Sequence, residues 1–183
     1  MQSRALASLD TWIVQAEQVL EEQRQRSLSP SSAPNWDAGQ VERAITLEEF
    51  SEGLEDLLGS LCCRPGRWIL IVEVGPVSYW QALTFEDGSL VAEVASNHWR
   101  EPDDQMTPDE EERLRGLGWE DPDPAGSPNW TRVESTTSPD VAGVARQAVE
   151  TLGGVLGAGK DQKVVVKLFS SPNRGDTPAS PEY

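Results

Sequence analysis

Apolar positions near the start of the chain repeat at helical spacing, while polar residues occupy the other faces. This stripe predicts a long amphipathic helix over residues 3–28 of an N-terminal segment, 1–28, followed by a linker over 29–44 that begins rich in Ser and Pro. The repeat covers only about two heptads, too few to indicate a coiled coil. The helix therefore either packs on its own domain or is an arm that binds another chain. The stripe consists of Leu6, Leu9, Ile13, Ala16 and Leu20.

Helix start and stop signals predict three further helices. Thr46 with Glu49, and Thr107 with Glu110, have the spacing of capping boxes, in which each side chain satisfies a backbone N–H at the helix start. A broad apolar face after residue 140 predicts the last helix. The three helices are expected to begin at Thr46, Thr107 and residues 138–139, and to end at residues 64–66, Gly118 and Gly157.

Runs of apolar residues between these helices predict five strands. Three strands follow the first capped helix directly, which indicates an antiparallel meander and an α+β fold with helices packed on one face of a mainly antiparallel sheet. The domain is predicted to span residues 45–170, and a Pro/Ser-rich tail over 171–183 is expected to be disordered. The strands are predicted at residues 68–74, 79–85, 89–95, 129–135 and 163–169.

The second and third strands flank an Asp-Gly pair at residues 87–88, the chemistry preferred in two-residue hairpin turns. A two-residue turn pairs Leu83 with Ala92 and places Trp80, Thr84 and Val91 on the opposite face of the sheet. That opposite face is apolar enough to need a cover. With the loop residue Trp99, these side chains are the candidate partner-binding residues Trp80, Thr84, Val91 and Trp99.

The charge balance limits the kind of partner. Fifteen Lys and Arg residues stand against 31 Asp and Glu, a formal net charge of −16, which opposes binding to nucleic acid or to an anionic membrane. Without a secretory signal or a long apolar run, the chain is expected to be cytoplasmic. Acidic residues concentrate over 101–123, which is either a solvated face or a docking site for a basic segment.

No set of residues with catalytic or metal-binding spacing stands out. His98 is the only histidine, and the adjacent Cys62 and Cys63 cannot supply the separated pairs of a zinc site. A glycine-rich run ending at Lys160 resembles a phosphate loop, but Asp161 stands where Ser or Thr is required, and a helix precedes it instead of a strand. We therefore predict no catalytic residue, no cofactor and no metal, and expect a protein that is not an enzyme.

Two short motifs carry a family resemblance. Leu117-Gly118-Trp119 and Pro128-Asn129-Trp130, which follow the hairpin and the helix capped by Thr107, resemble the actinobacterial YbjN-like proteins, a group likened to type III secretion chaperones. The resemblance covers about residues 45–157. It implies an α+β fold and a non-enzymatic protein- or peptide-binding role, and it allows a homodimer. It supplies no binding residues, and we expect the motif residues Leu117, Gly118, Trp119, Pro128, Asn129 and Trp130 to be structural.

Two hypotheses of function follow. In the first, the protein is a chaperone-like module that covers an apolar client segment with the sheet face around Trp80 and Val91, and its acidic rim selects basic clients. In the second, it is a regulatory or assembly adaptor that captures its partner through the N-terminal helix. The client and the pathway cannot be named from the sequence.

Overall fold

The structure is a computed structural model that describes residues 41–134 and 138–171, together with five positions of the N-terminal segment. The remainder of the predicted helix over 3–28, the linker up to residue 40 and the tail from residue 172 lie outside the described residues. The five N-terminal positions are helical, and they are Thr11, Trp12, Val14, Gln15 and Gln18.

A single antiparallel sheet of six strands forms the framework, and the predicted α+β class is confirmed. Its spatial order is β1-β6-β2-β3-β4-β5, so the last strand of the chain lies between the first two. All five predicted strands are present. The strands are β1 (Val41–Thr46), β2 (Arg67–Val74), β3 (Ser78–Thr84), β4 (Leu90–Val94), β5 (Trp130–Glu134) and β6 (Lys163–Ser171).

Three described helices follow the predicted start signals closely. Both capping boxes form, with the Thr46 and Thr107 hydroxyls accepting from the N–H groups of Glu49 and Glu110. The last helix begins slightly later than predicted, because the carboxylate of Asp140 caps it by accepting from the N–H of Gly143 at 2.9 Å. The helices are α1 (Leu47–Cys62), α2 (Pro108–Gly116) and α3 (Val141–Gly154).

The strand β1 was not predicted, because its first four residues were assigned to the linker. It lies at the edge of the sheet and pairs with β6 from Val41 opposite Leu168 to Thr46 opposite Lys163. Its middle residues Glu42, Arg43 and Ala44 are all exposed, so the segment lacks the alternation of apolar and polar residues that identifies a half-buried strand. Charged residues are common on edge strands, where they oppose pairing with other chains.

The predicted register of the β3–β4 hairpin is wrong by one residue. The loop contains three residues, because Phe85 donates to the carbonyl of Ser89 at 3.1 Å and Gly88 donates back to the carbonyl of Phe85 at 2.9 Å. Gly88 has a φ of 80°, the left-handed bulge position that follows a type I turn. Leu83 therefore lies opposite Val91, not Ala92.

This shift exchanges the faces of β4 relative to those of β3. Trp80, Ala82 and Thr84 share a face with Leu90, Ala92 and Val94, and all six are buried. The hydroxyl of Thr84 donates to the carbonyl of Leu61 at 3.5 Å, which places α1 over this face. The prediction that Trp80 and Thr84 share a face with Val91 is therefore wrong.

The core lies between this face of the sheet and the helices. Phe50, Leu54 and Leu58 of α1 and Val144 and Leu152 of α3 are buried in one cluster with the inward side chains of the strands. Trp12 of the N-terminal segment belongs to the same cluster and is only 4% exposed. At least this residue of the segment therefore packs on the domain itself.

Candidate functional site

The sheet has a second face, pointing away from α1, α2 and α3, which we call the open face. Burial alternates along β2, so every second side chain is buried under the helices and the others are only half-buried. No described helix covers this face. Its central row of side chains, the apolar row, consists of Phe169, Ile69, Leu83, Val91 and Val133.

The apolar row runs straight across five adjacent strands. Ile69 lies opposite both Phe169 and Leu83, and Val91 lies opposite both Leu83 and Val133. With strands spaced about 4.8 Å apart, the row is about 19 Å long. None of these five residues belongs to the core cluster, and Val133 at the β5 edge is 64% exposed. The other four are half-buried, so each keeps part of its apolar surface open to solvent. A contiguous apolar strip of this kind is typical of an interaction surface.

The next row on the open face is polar except at Ile71, and it consists of Lys167, Ile71, Gln81, Glu93 and Thr131. Lys167 of β6 makes an ion pair with Glu73 of β2, with Nζ 2.5 Å from Oε1. Farther along the same row, the amide of Gln81 on β3 donates to Glu93 Oε2 on β4. Glu93 follows Val91 by two positions on β4, so its carboxylate lies directly beside the apolar row.

A hydrogen-bond network extends from Glu93 to the rim of the open face. Glu93 also accepts from the Ser127 hydroxyl at 3.0 Å and from the Asn129 amide at 3.3 Å. The carbonyl oxygen of the same Asn129 amide accepts from Nε1 of Trp99 at 3.0 Å. Asn129 therefore links the carboxylate of Glu93 to the indole of Trp99, which is 61% exposed.

The Leu117-Gly118-Trp119 motif forms the corner that ends α2. Gly118 has a φ of 87°, and it donates to the carbonyl of Arg115 at 2.9 Å while Trp119 donates to the carbonyl of Leu114 at 3.1 Å. This pair of bonds is a Schellman cap. The indole of Trp119 then donates to the buried Thr151 hydroxyl at 2.9 Å, and so fixes α2 against α3.

The Pro128-Asn129-Trp130 motif joins the two faces of the sheet. Trp130 opens β5 and is buried in the core, whereas Asn129, one position earlier, bonds to groups of the open face. The carbonyl of Pro128 accepts from the Ser96 hydroxyl, which also caps the short 3-10 turn that carries Trp99. One motif therefore fixes β5 in the core and the Trp99 loop at the rim.

The four candidate partner-binding residues do not lie on one surface. Trp80 and Thr84 are 0% and 1% exposed beneath the helices, whereas Val91 lies in the apolar row and Trp99 at the rim of the open face. Sequence reasoning did not select Ile69, Leu83 or Phe169. A bulge at Gly88 was the signal that would have found Leu83, because it places Leu83 opposite Val91. Ile69 and Phe169 join the row through the pairing of β2 with β3 and β6.

The structure describes no cluster typical of catalysis or metal binding. His98 is exposed, and its ring contacts that of Trp99 edge-on at 4.6 Å. Within residues 41–134 and 138–171, no group of three His, Cys, Asp or Glu side chains is arranged to hold a metal ion. None of the helices in the described part of the chain is long and apolar enough to cross a membrane.

A sheet with one face packed by helices and an apolar strip on the other is typical of an α+β module that binds other chains. The comparison with protein families also indicates a protein that binds other chains. Residues 46–169 match the model described as T3SS (YopN, CesT) and YbjN peptide-binding chaperone 3, and the chain belongs to this family. No curated protein and no solved structure matches the chain.

The match confirms the resemblance drawn from the two Trp motifs. It reaches from the N-cap of α1 into β6, so it includes the last strand, which lay beyond the predicted limit of about residue 157. The family is one of peptide-binding chaperones and is non-catalytic in general.

Proposed function

We propose that the protein is a chaperone-like module that binds an apolar, basic segment of a client protein on its open face. The observation that carries the proposal is the apolar row, five apolar side chains in line on a face that no described helix covers. Peptide binding by the family supports the same role.

The length of the apolar row limits the size of the bound segment. About 19 Å corresponds to about six residues of extended chain or about thirteen residues of helix. Each row residue would lose solvent exposure on binding, and covering about 40 Å² of apolar surface per side chain contributes about 1 kcal/mol. Several such contacts together outweigh the ordering of a short peptide and give specific binding.

The charge of the protein determines which apolar segments it accepts. At a net charge of −16 the protein attracts basic segments and repels acidic ones. Exposed Glu101, Asp103 and Asp104 lie two to five positions after Trp99 in the chain. A client segment with Lys or Arg beside its apolar residues therefore fits the surface better than an acidic one.

The alternative is an adaptor that captures its partner through the N-terminal helix. Burial of Trp12 in the core cluster supports packing of that segment on its own domain, so we place the client on the open face. The proposal further places the protein in the cytoplasm. A homodimer is compatible with it only if the dimer leaves the apolar row accessible.

Binding of defined peptides tests the proposal. We would measure the fluorescence anisotropy of three labelled peptides of about thirteen residues, enough to span the row as a helix. The peptides have the same apolar residues and are basic, neutral or acidic elsewhere. We expect the basic peptide to bind most tightly and the acidic peptide least, with the difference shrinking as salt is added.

Variants of the row locate the binding surface. Leu83→Thr and Val91→Thr keep residues suited to strands but remove apolar surface, so each is expected to weaken binding of the basic peptide about fivefold. Val77→Thr is the matched control, because Val77 is 37% exposed in the β2–β3 turn, outside the row. Unchanged binding by both row variants, or equal loss in the control, would contradict the proposed surface.

A further inference from the structure

We propose that Trp99 and Glu93 together form a receptor for an arginine side chain of the client, at the end of the apolar row. This inference rests on the proposed function and adds to it the residue type that the client must carry. It also gives a role to Asn129 of the Pro128-Asn129-Trp130 motif, which positions the receptor.

The indole of Trp99 is exposed and yet held in place. Its Nε1 donates to Asn129 Oδ1 at 3.0 Å, and the His98 ring meets it edge-on, with an interplanar angle of 86°. Asn129 is itself buried and is fixed by the hydroxyl of Tyr79, to which its amide donates at 3.3 Å. A large aromatic surface, 61% exposed but already ordered, can bind a cation with little further loss of entropy.

The carboxylate of Glu93 lacks a counter-ion among the described residues. Its oxygens accept only from the neutral donors Gln81, Ser127 and Asn129, and none of the described Lys or Arg side chains forms a salt bridge with it. The carboxylate of Glu73 on the same face provides the contrast, because it is paired with Lys167. A half-buried carboxylate surrounded by neutral donors is a favourable partner for an incoming cation.

The described cations around Glu93 are directed elsewhere. Arg132 lies opposite Ala92 on the adjacent strand, but its guanidinium pairs with Glu134 and Asp140. Lys167 lies three strands from Glu93, about 14 Å away, beyond the screening length of about 8 Å at physiological salt. The guanidinium of Arg100 donates to the carbonyls of Ala95 and Asp104. The negative charge of Glu93 therefore remains available at the point where the apolar row meets the rim.

Arginine fits this combination better than lysine. Its planar guanidinium stacks on an indole and can also donate to a carboxylate, whereas an ammonium is a strongly hydrated point charge. Because two hydrogen bonds through Asn129 join Trp99 to Glu93, one guanidinium can reach both groups. The client is then expected to carry its arginine next to the apolar residues that cover Val91.

The test compares two peptides that differ at one residue. The basic peptide used above is made with Arg, or with Gln, beside its apolar residues, and we expect the Arg peptide to bind about tenfold more tightly. Trp99→Leu and Glu93→Gln should each reduce that ratio severalfold. Glu55→Gln is the control for charge, because Glu55 is exposed on α1, across the sheet from the open face, and the ratio should be unchanged.

If the affinity ratio of the Arg peptide to the Gln peptide stays at about tenfold in both Trp99→Leu and Glu93→Gln, the inference is wrong. The proposed function is not contradicted by that result. If neither peptide binds, the proposed function fails, and a second measurement decides the receptor. The indole N–H signals are recorded by NMR during titration with N-acetyl-arginine amide or N-acetyl-glutamine amide. A shift of the Trp99 signal, assigned from its absence in Trp99→Leu, with the arginine compound alone supports the receptor, and no shift overturns it.

Discussion

Gly118→Ala should destabilise the protein, because Gly118 holds the left-handed position of the cap that ends α2. Its φ is 87°, and its N–H and that of Trp119 close the cap on the carbonyls of Arg115 and Leu114. A Cβ built at Gly118 would meet Gln147 Nε2 at 3.9 Å, an ordinary contact, so crowding adds little. The change in stability therefore reports mainly the cost of placing alanine in the left-handed backbone conformation.

The expected magnitude follows from two opposing contributions. An L-residue in the left-handed region costs about 1–2 kcal/mol. Replacing glycine by alanine also restricts the unfolded chain, which offsets about 0.5 kcal/mol of this cost. The free energy of unfolding should fall by about 1 kcal/mol, a decrease in Tm of about 3 °C for a protein of this size.

Gly59→Ala is the matched control. Gly59 lies within α1 at ordinary helical φ, and a Cβ there would have no atom within 4 Å. This variant should stabilise the protein by about 0.5–1 kcal/mol. Urea unfolding followed by circular dichroism measures both variants, and Gly118→Asn should recover part of the loss because Asn tolerates this conformation. If Gly118→Ala proves as stable as the parent, the argument that the Leu117-Gly118-Trp119 corner requires a left-handed glycine is wrong.

Three further substitutions examine the same region. Trp119→Phe removes the indole donor to the buried Thr151 hydroxyl, so it should cost about 1–3 kcal/mol in urea unfolding, and a loss below about 0.5 kcal/mol would show that the bond contributes little. Thr107→Ala should cost about 1 kcal/mol by removing the cap of α2. The backbone N–H of Thr107 lowers the pKa of Glu110, so this bond stabilises the protein above the ordinary Glu pKa of 4.5, and the contribution is lost as the pH falls through the lowered value. The stability of Glu110→Gln should accordingly vary less between neutral and acid pH than that of the parent.

The helix boundaries could be predicted because the signals that determine them are local. Thr46 and Glu49, or Thr107 and Glu110, are three residues apart, and their hydrogen bonds form within a single turn. The family resemblance rests on equally short motifs, such as Leu117-Gly118-Trp119. The two capping boxes and the family are both confirmed.

The open face could not be predicted, because it depends on one residue in a turn. Asp87-Gly88 is compatible with a two-residue turn or with a three-residue loop that has Gly88 in the bulge. The second arrangement moves every side chain of β4 to the other face relative to β3. The position of β6 between β1 and β2 could not be predicted either. It brings Phe169 beside Ile69, although the two residues are about a hundred positions apart in the chain.

The amino-acid sequence by itself determined the strongly acidic charge, the family, and where α1, α2, α3 and five of the six strands lie. These elements and the family could be predicted because propensity, capping and short motifs act within a few residues. Only the tertiary structure decided which side chains share a surface. The pairing of Val91 with Leu83, and the hydrogen bonds that join Trp99 to Glu93 through Asn129, connect segments that are distant along the chain. Such contacts depend on the register and order of strands, which backbone hydrogen bonding and burial of the whole sheet select together.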